Sequence, residues 1–238
     1  MSSACTQTGS LDRPLALLGF LPAWDLEKRR ADLSAIVHWT VEQIRHRGFP
    51  ICSLETLHHH LDGQRAGALA QSLTAASLAR ELREALTQVM MKLLPEVPLD
   101  RVWIQTHTHF RILLPGEPLA PVPPHTDFGL GHSLAERNLW YALTDAQGDA
   151  ALHALPLRDS LSWLGRKGRI HGVFDAAPEI PPVPTSAGEV LLFTPLHLHR
   201  ARPPAGEHSR VSIDVRILPR PGPGAITDFS FSPLPRVS

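Results

Sequence analysis

Three short segments carry side chains that could bind a metal ion and an organic acid. The first contains His125-Thr126-Asp127, the second contains His199, and the third runs from Arg210 to Arg216. Two imidazoles and one carboxylate on one face of a metal suit Fe(II) and leave coordination positions open for other ligands. An arginine on a following strand can hold a distant carboxylate through a forked, charge-assisted pair. The three segments therefore indicate a metal site at which an organic acid and O2 can also bind.

The His-x-Asp spacing is not specific by itself, because His60-Leu61-Asp62 has it as well. That second triplet precedes a glycine in a polar stretch of the helical half of the chain. His125 and Asp127 instead end a predicted strand, and a glycine-rich turn follows them. Residues i and i+2 of a strand face the same way, so both side chains can point into one cavity. We therefore predict both as metal ligands; the alternative is a buried histidine paired with its neighbouring aspartate.

The third ligand is expected from another strand that faces the same cavity, and His197 and His199 are both candidates. The two residues have the same parity, so strand geometry does not distinguish them. His199 lies 11 residues before Arg210, which suits a ligand and an anchor on adjacent antiparallel strands joined by a short loop. We predict His199 as the ligand and His197 as a neighbouring cavity residue, because ligating groups usually need outer hydrogen-bond partners.

The last predicted strand alternates polar and aliphatic residues. If the polar side chains point into a β-barrel, their burial costs free energy unless they contact ligands or ion-pair partners. The alternative is that this strand lies at a solvent-exposed edge of a sheet. We predict that Arg210 and Ser212 grip the carboxylate of the acid, while Arg216 pairs with Asp214 or another inner acid. An exchange of roles between the two arginines stays open. A similar triplet, Arg158-Asp159-Ser160, lies in a predicted helix with its arginine facing water.

The elements that must position these residues divide the chain into two halves. Apolar residues recur at helical spacing over Asp25–Arg47 and Gln64–Leu94. After residue 100 the sequence changes to short strands separated by Pro and Gly, with one short helix at Leu157–Gly168. The predicted strands are Trp103–Leu113, Val122–Asp127, Asn138–Thr144, Ala150–Leu155, His171–Phe174, Glu189–Phe193, His197–Ala201 and Arg210–Leu218. This order is typical of a mainly β fold, a double-stranded β-helix (jelly roll, cupin-like) braced by N-terminal helices.

The length of 238 residues allows one large β-rich domain, and no internal repeat or linker divides it. We predict a single domain over 1–238, with a mostly helical prologue at 1–100, a jelly-roll core at 101–220 and a C-terminal tail at 221–238.

The composition argues against several classes of partner. Lys plus Arg and Asp plus Glu number 23 each, which disfavours nucleic acid or an acidic membrane as the main partner. The chain has neither an apolar run of about 18 residues nor a recognisable secretion signal. Its two cysteines, Cys5 and Cys52, make no disulfide framework. We expect a cytoplasmic protein that acts on a small molecule.

From about Ile104 to Leu218, roughly half of the chain, the sequence resembles the Fe(II)/2-oxoglutarate oxygenases of the phytanoyl-CoA hydroxylase type. It is similar above all to small members from antibiotic and specialised-metabolite pathways. The resemblance rests on Pro124-His125-Thr126-Asp127, Asn138-Leu139-Trp140, Ala142-Leu143-Thr144-Asp145, Gly188-Glu189-Val190-Leu191-Leu192-Phe193, His199-Arg200 and Arg210–Arg216. It implies His125, Asp127 and His199 as iron ligands and Arg210 as the anchor of the co-substrate 2-oxoglutarate, with O2 as the oxidant.

The resemblance implies hydroxylation of a small metabolite, with 2-oxoglutarate converted to succinate and CO2. One departure concerns the substrate: the family often has a Pro-Gly-Ser-His turn where this chain has Leu157-Arg158-Asp159-Ser160 after Pro156. Two other functions are weighed against it, an iron oxidase or isomerase of cupin type without 2-oxoglutarate, and a jelly-roll binding protein with structural histidines. The residues that could line a substrate cavity are Gln105, His107, His109, Arg111, Asn138 and Trp140.

Overall fold

The computed structural model describes residues 21–116, 122–168, 172–174, 177–202, 204–219 and 231–235. Its α-helices are α1 (Ser34–His46), α2 (Gly63–Ala76), α3 (Arg80–Leu93) and α4 (Leu157–Lys167). Its strands are β1 (Glu27–Arg30), β2 (Val102–Gln105), β3 (His109–Leu113), β4 (Val122–His125), β5 (Arg137–Ala142), β6 (Leu152–Ala154), β7 (Pro182–Val183), β8 (Glu189–Phe193), β9 (His199–Ala201), β10 (Arg210–Pro219) and β11 (Phe231–Pro233). The predicted β-rich fold with preceding helices is confirmed at this level. Within the described ranges no helix is long and apolar enough to span a bilayer.

The strands form two antiparallel sheets. The larger sheet has the order β1-β8-β5-β10-β2-β11, and β3 also pairs with β10. The smaller sheet has the order β4-β9-β6-β7. From β3 to β10 the chain passes repeatedly between the two sheets, so strands that are distant in sequence become neighbours. This topology brings β4, β9 and β10 to a common region.

The alternation of side chains gives the larger sheet two different faces. On β10, Val211 and Ile213 belong to the main hydrophobic core, whereas Arg210 and Ser212 lie on the opposite face. The helices complete the main core with apolar side chains that include Ile36, Ile44, Leu73, Leu82, Leu86 and Met90. The larger sheet therefore has helices on one face and buried polar residues on the other.

Helix α4 packs beside the smaller sheet through a separate apolar cluster. Trp163 lies edge to face with Phe174, with ring centroids 4.7 Å apart, and both contact the cluster that contains Leu198. The Ser160 hydroxyl accepts a hydrogen bond of 2.9 Å from the backbone N–H of Leu198. These contacts hold α4 against the segment that leads into β9.

The helical half differs from its prediction in two places. The helix predicted over Asp25–Arg47 begins only with α1, because the charged residues before it form β1, the edge strand that pairs with β8. The helix predicted over Gln64–Leu94 is two helices, α2 and α3. Between them the Ser77 hydroxyl donates to the Thr74 carbonyl and accepts the Thr108 backbone N–H. A tertiary contact therefore accompanies the helix end, with no Gly or Pro to mark it.

The β half also differs in detail. The strand predicted over Trp103–Leu113 is divided into β2 and β3. Of the strand predicted over His171–Phe174, His171 lies outside the described residues and Val173 forms only an isolated bridge with His125. The predicted tail, 221–238, contributes β11, which pairs with β2. Strands β1 and β11 thus extend the larger sheet beyond the predicted core of 101–220.

Candidate metal centre

The pairing of β4 with β9 places two imidazoles side by side. His125 and His199 are direct partners in the register, and their ring centroids lie 4.3 Å apart. The Nδ1 atom of His125 lies 2.8 Å from the Pro123 carbonyl oxygen, and that of His199 lies 2.9 Å from the His197 carbonyl oxygen. A carbonyl oxygen only accepts, so each Nδ1 carries the proton. Both Nε2 lone pairs are consequently available to a metal.

Asp127 supplies a carboxylate next to both imidazoles. The strand predicted over Val122–Asp127 ends at His125, and Asp127 has helical backbone angles because it caps a 3-10 turn over Phe128–Leu130. Its Oδ1 lies 3.7 Å from Nε2 of His125 and 3.8 Å from Nε2 of His199. The three ligand atoms all lie within 4.8 Å of one another, and all three residues are buried. One ion between them could contact two nitrogens and one oxygen, a donor set that suits Fe(II).

The ionisation states of the three side chains fit a divalent cation. Burial, with a contribution from His125, lowers the pKa of His199 to about 4, and burial also lowers the pKa of His125. Burial by itself would raise the pKa of Asp127, but the Arg216 guanidinium and the imidazoles outweigh it and lower that pKa. At neutral pH the centre therefore presents two neutral imidazoles and one carboxylate, the forms that bind metal.

Two further side chains hold the Asp127 carboxylate in place. Asn138 Nδ2 donates to Oδ2 at 2.5 Å, and Arg216 Nη2 lies 3.3 Å from Oδ1. Arg216 in turn donates to Gln105 Oε1 at 3.4 Å and has its Nε 3.9 Å from Glu136 Oε2. Arg216 was predicted to pair with Asp214 or another inner acid. In the structure its acidic partners are Asp127 and Glu136. The carboxylate is thus oriented by groups that the protein itself provides.

Replacing Asn138 by alanine is expected to weaken metal binding by roughly tenfold to a hundredfold, the usual range for the loss of an outer partner of a ligand. The Oδ2 atom would lose its donor, so the carboxylate could rotate away from the imidazoles. Titration calorimetry with Ni(II) measures the change. Asn138→Asp is not a suitable control, because a second carboxylate would repel the first. Equal Ni(II) affinities of the alanine variant and the unmodified protein would contradict the role of Asn138.

Arg210 is a buried cation with unused donors. It is 1% exposed, its Nη1 donates to the Ala150 carbonyl at 3.4 Å, and its guanidinium lies 5.4 Å from the ring centroid of Trp140. Among the described residues, its Nε and Nη2 have no hydrogen-bond partner, and neither has the Ser212 hydroxyl. Burial, with a contribution from Arg111, lowers the pKa of Arg210 to about 10, so it stays charged at neutral pH. Burying an unpaired guanidinium costs folding free energy, and a bound anion would offset that cost by accepting hydrogen bonds from the unused donors.

One cavity connects Arg210 with the two imidazoles. The cavity is small: the volume it leaves free for water-sized molecules is about 20 Å³. The cavity is lined by Arg111, Val122, His125, Leu152, Phe193, His199, Arg200, Ala201, Arg210 and Asp214. The Arg210 side chain and the two imidazoles therefore face the same cavity.

The competing sequence candidates lie elsewhere. His197 directs its Nε2 to Asp25 Oδ1 at 3.0 Å, outside the group of three ligand residues. Asp62 of the second His-x-Asp triplet is the N-cap of α2. Arg158 of the second Arg-x-Ser triplet is exposed on α4. The structure thus brings together His125, Asp127 and His199 and leaves these alternatives apart from them.

Sequence reasoning missed the roles of several cavity residues. Asn138 and Trp140 were only possible lining residues, yet one contacts Asp127 and the other lies under Arg210. Their equal parity on one strand is the signal that could have placed them on the same face. The partner of Asp214 was also missed, since Asp214 forms an ion pair with Arg111.

Comparisons with known proteins find similarity in structure only. No protein-family profile matches the chain, and no curated protein matches it. The solved structure of ThoJ, a non-heme monooxygenase in complex with nickel, has a TM-score of 0.53 and 14% sequence identity, covering 82% of this chain and 73% of that chain. AviO1 from Streptomyces viridochromogenes Tue57 has a TM-score of 0.47 and 19% identity, with 92% and 99% covered. The epimerase SnoN, in complex with Fe3+, alpha ketoglutarate and nogalamycin RO, has a TM-score of 0.44 and 14% identity, with 96% of each chain covered. The likeness to ThoJ shows a shared fold.

Proposed function

We propose that this protein is a non-haem Fe(II)/2-oxoglutarate-dependent oxygenase that oxidises a small molecule, most simply by hydroxylation. The observation that carries the proposal is the content of one cavity. It combines two imidazoles whose Nε2 atoms face the Asp127 carboxylate with the buried, unpaired donors of Arg210. A metal ion alone would explain the imidazoles and the carboxylate, and an organic anion alone would explain the donors of Arg210. A keto acid that binds a metal explains both.

The fold supports this function. We propose that β3 to β10 form a double-stranded β-helix, as in oxygenases of the phytanoyl-CoA hydroxylase type, because successive strands wind between the two sheets. The fold shared with ThoJ, which is described as a non-heme monooxygenase and was solved with nickel, agrees with a metal site in this barrel. We also propose that the helices and the barrel are one domain, since α1, α2 and α3 share the main hydrophobic core with β10.

The three ligand residues would hold Fe(II), and the residues around them would set its surroundings. When bound, iron and 2-oxoglutarate supply the oxidising chemistry, in which O2 is reduced, the keto acid becomes succinate and CO2, and a substrate C–H bond is oxidised. Arg210 and Ser212 would bind the far carboxylate of 2-oxoglutarate, while Trp140 supports the guanidinium from below. Leu152 and Phe193 line the cavity with apolar surface and limit the entry of water.

The two rival functions account for fewer of these features. A cupin-type iron oxidase or isomerase without 2-oxoglutarate would use the ligands but leave Nε and Nη2 of Arg210 unpaired. A binding protein with structural histidines would not need two Nε2 atoms 3.7 Å and 3.8 Å from one carboxylate oxygen. The proposed oxygenase uses both sets of residues.

Anaerobic titration of the purified protein tests the proposal directly. Fe(II) and 2-oxoglutarate added together should give a visible metal-to-ligand absorption band that neither gives alone. Exposure to O2 should then release succinate slowly even without a substrate. A protein that binds Fe(II) but shows neither the band nor succinate would support the cupin-type alternative. Failure to bind any divalent metal would reject both enzymatic functions.

A further inference from the structure

Three arginines line the cavity, Arg111, Arg200 and Arg210, and the proposed function leaves Arg111 and Arg200 unused. Of these two, Arg111 lies on the strand that pairs with β10, which carries Arg210. Strand β3 pairs with β10 so that Arg111 lies opposite Ser212. Its Nε donates to the Asp214 carboxylate, and within the described ranges this is the one hydrogen bond of its side chain. The Arg111 side chain is 38% exposed and lines the cavity beside His125 and His199. Its two terminal nitrogens are therefore free to contact a ligand.

Arg111 lies within electrostatic range of both ends of the cavity. Beyond the larger effect of burial, its positive charge contributes to the lowered pKa of Arg210. The pKa of Arg111 itself is raised, chiefly by Asp214 and also by Asp127. Because Arg111 lines the same cavity as His125, His199 and Arg210, a ligand that extends from the metal ligands to Arg210 would pass close to it.

The charges along this path are unbalanced without a ligand. Arg216 is paired with Asp127 and Glu136, and Arg111 is paired with Asp214. Arg200, which also lines the cavity, interacts electrostatically with Asp149 and Glu179. Arg210 has no acidic partner among the described residues, and the metal would add two positive charges. A dianion with one carboxylate at each end would balance the buried charges better than a monoanion.

We propose that Arg111, positioned by Asp214, binds the carboxylate at the 2-oxo end of the co-substrate. This inference rests on the proposed function. The protein would then recognise 2-oxoglutarate with two guanidinium groups, Arg210 at the far carboxylate and Arg111 at the carboxylate beside the keto group. Asp214 is a positioning residue, because it fixes the Nε of Arg111 and leaves the terminal nitrogens to the ligand.

The two arginines should affect different ligands. Pyruvate and 2-oxobutyrate share the 2-oxo carboxylate with 2-oxoglutarate but have no far carboxylate. Loss of Arg111 should therefore weaken the binding of all three acids, whereas loss of Arg210 should weaken the binding of 2-oxoglutarate alone. This difference separates the two roles without any measurement of turnover.

The test compares Arg111→Gln, Arg210→Gln and Arg158→Gln, the last being the same exchange at an exposed position on α4. Each Fe(II)-loaded protein is titrated anaerobically with 2-oxoglutarate and with 2-oxobutyrate, by calorimetry and by the visible band. Arg111→Gln should lower the affinity for both acids by roughly tenfold to a hundredfold, the effect of losing at least one charge-assisted hydrogen bond. Fe(II) affinity without an acid should not fall, because the substitution removes a positive charge near the metal ligands. Arg158→Gln should bind both acids like the unmodified protein.

Arg111→Gln leaves Asp214 without its partner, so its folding must be secured separately. The double variant Arg111→Gln/Asp214→Asn removes both charges, and its thermal unfolding is compared with that of the unmodified protein. It should show the same loss for both acids. Acid affinities within about threefold of the unmodified protein in both variants would overturn the inference, as would a loss confined to 2-oxoglutarate. Absence of metal-dependent 2-oxoglutarate binding in the unmodified protein would instead defeat the proposed function itself.

Discussion

Replacement of Arg210 by glutamine is expected to weaken the binding of 2-oxoglutarate to the metal-loaded protein by about a hundredfold or more. The buried guanidinium has two unused nitrogens, and the Ser212 hydroxyl beside it is also unpaired. Each charge-assisted hydrogen bond is worth about 1.5–3 kcal/mol, and a forked pair makes two of them. Anaerobic calorimetry with 2-oxoglutarate measures the loss. Thermal stability should be maintained, because the substitution removes a buried charge that lacks an acidic partner among the described residues.

Two variants serve as controls for this prediction. Arg158→Gln makes the same exchange at an exposed position on α4 and should leave 2-oxoglutarate binding unchanged. Arg216→Gln tests the alternative anchor. Because Arg216 Nη2 lies 3.3 Å from Asp127, its loss should reduce metal affinity first. If Arg210→Gln keeps 2-oxoglutarate affinity while Arg216→Gln loses it at saturating metal, the roles of the two arginines are exchanged.

Features that depend on local alternation could be predicted from the sequence. The polar and aliphatic faces of β10 follow from a period of two residues, and the structure places its aliphatic residues in the main core. The same period puts Asn138 and Trp140 on one face of β5. The helical spacing in α1 and α3 likewise predicted residues such as Ile36 and Leu86, which are fully buried.

Features that depend on long-range contacts could not be predicted. Strand β1 has no apolar alternation, and it is a strand because β8 provides backbone partners for four charged residues. The break between α2 and α3 coincides with the hydrogen bond from Thr108 to Ser77, which is made only when distant segments meet. The register in which two strands pair also depends on long-range contacts. Nothing local indicates that Arg111 lies opposite Ser212 or that its partner is Asp214.

In the candidate site, too, some features follow from local sequence and others from long-range contacts. Local context favoured the triplet at His125 over the one at His60, since only the former ends a strand. Strand parity did not distinguish His197 from His199, and only the spacing to Arg210 favoured His199. In the structure they differ through a tertiary contact, as His197 faces Asp25 while His199 pairs with His125 across two strands. Residue types and spacing thus suggested the chemistry, and strand pairing determines which side chains meet.

Replacement of Asp127 by alanine is expected to lower Fe(II) affinity by more than a hundredfold. The change exceeds the roughly tenfold to hundredfold range of outer partners, because Asp127 supplies the one carboxylate among the three proposed ligands. Two neutral imidazoles would remain, and the Arg216 guanidinium would repel a cation more strongly, since only the more distant Glu136 would still be paired with it. Anaerobic Fe(II) titration measures the affinity, and the visible band with 2-oxoglutarate should be lost as well.

The second His-x-Asp triplet offers a matched control for this substitution. Asp62→Ala removes the same carboxylate from the same short motif, but Asp62 caps α2 by accepting the Arg65 backbone N–H at 2.8 Å. It should cost about 1 kcal/mol of stability and leave Fe(II) affinity unchanged. Asp127→Asn keeps the side-chain volume and separates loss of charge from loss of packing. If Asp127→Ala and Asp62→Ala bound Fe(II) equally well, the metal would lie elsewhere and the ligand assignment would fail.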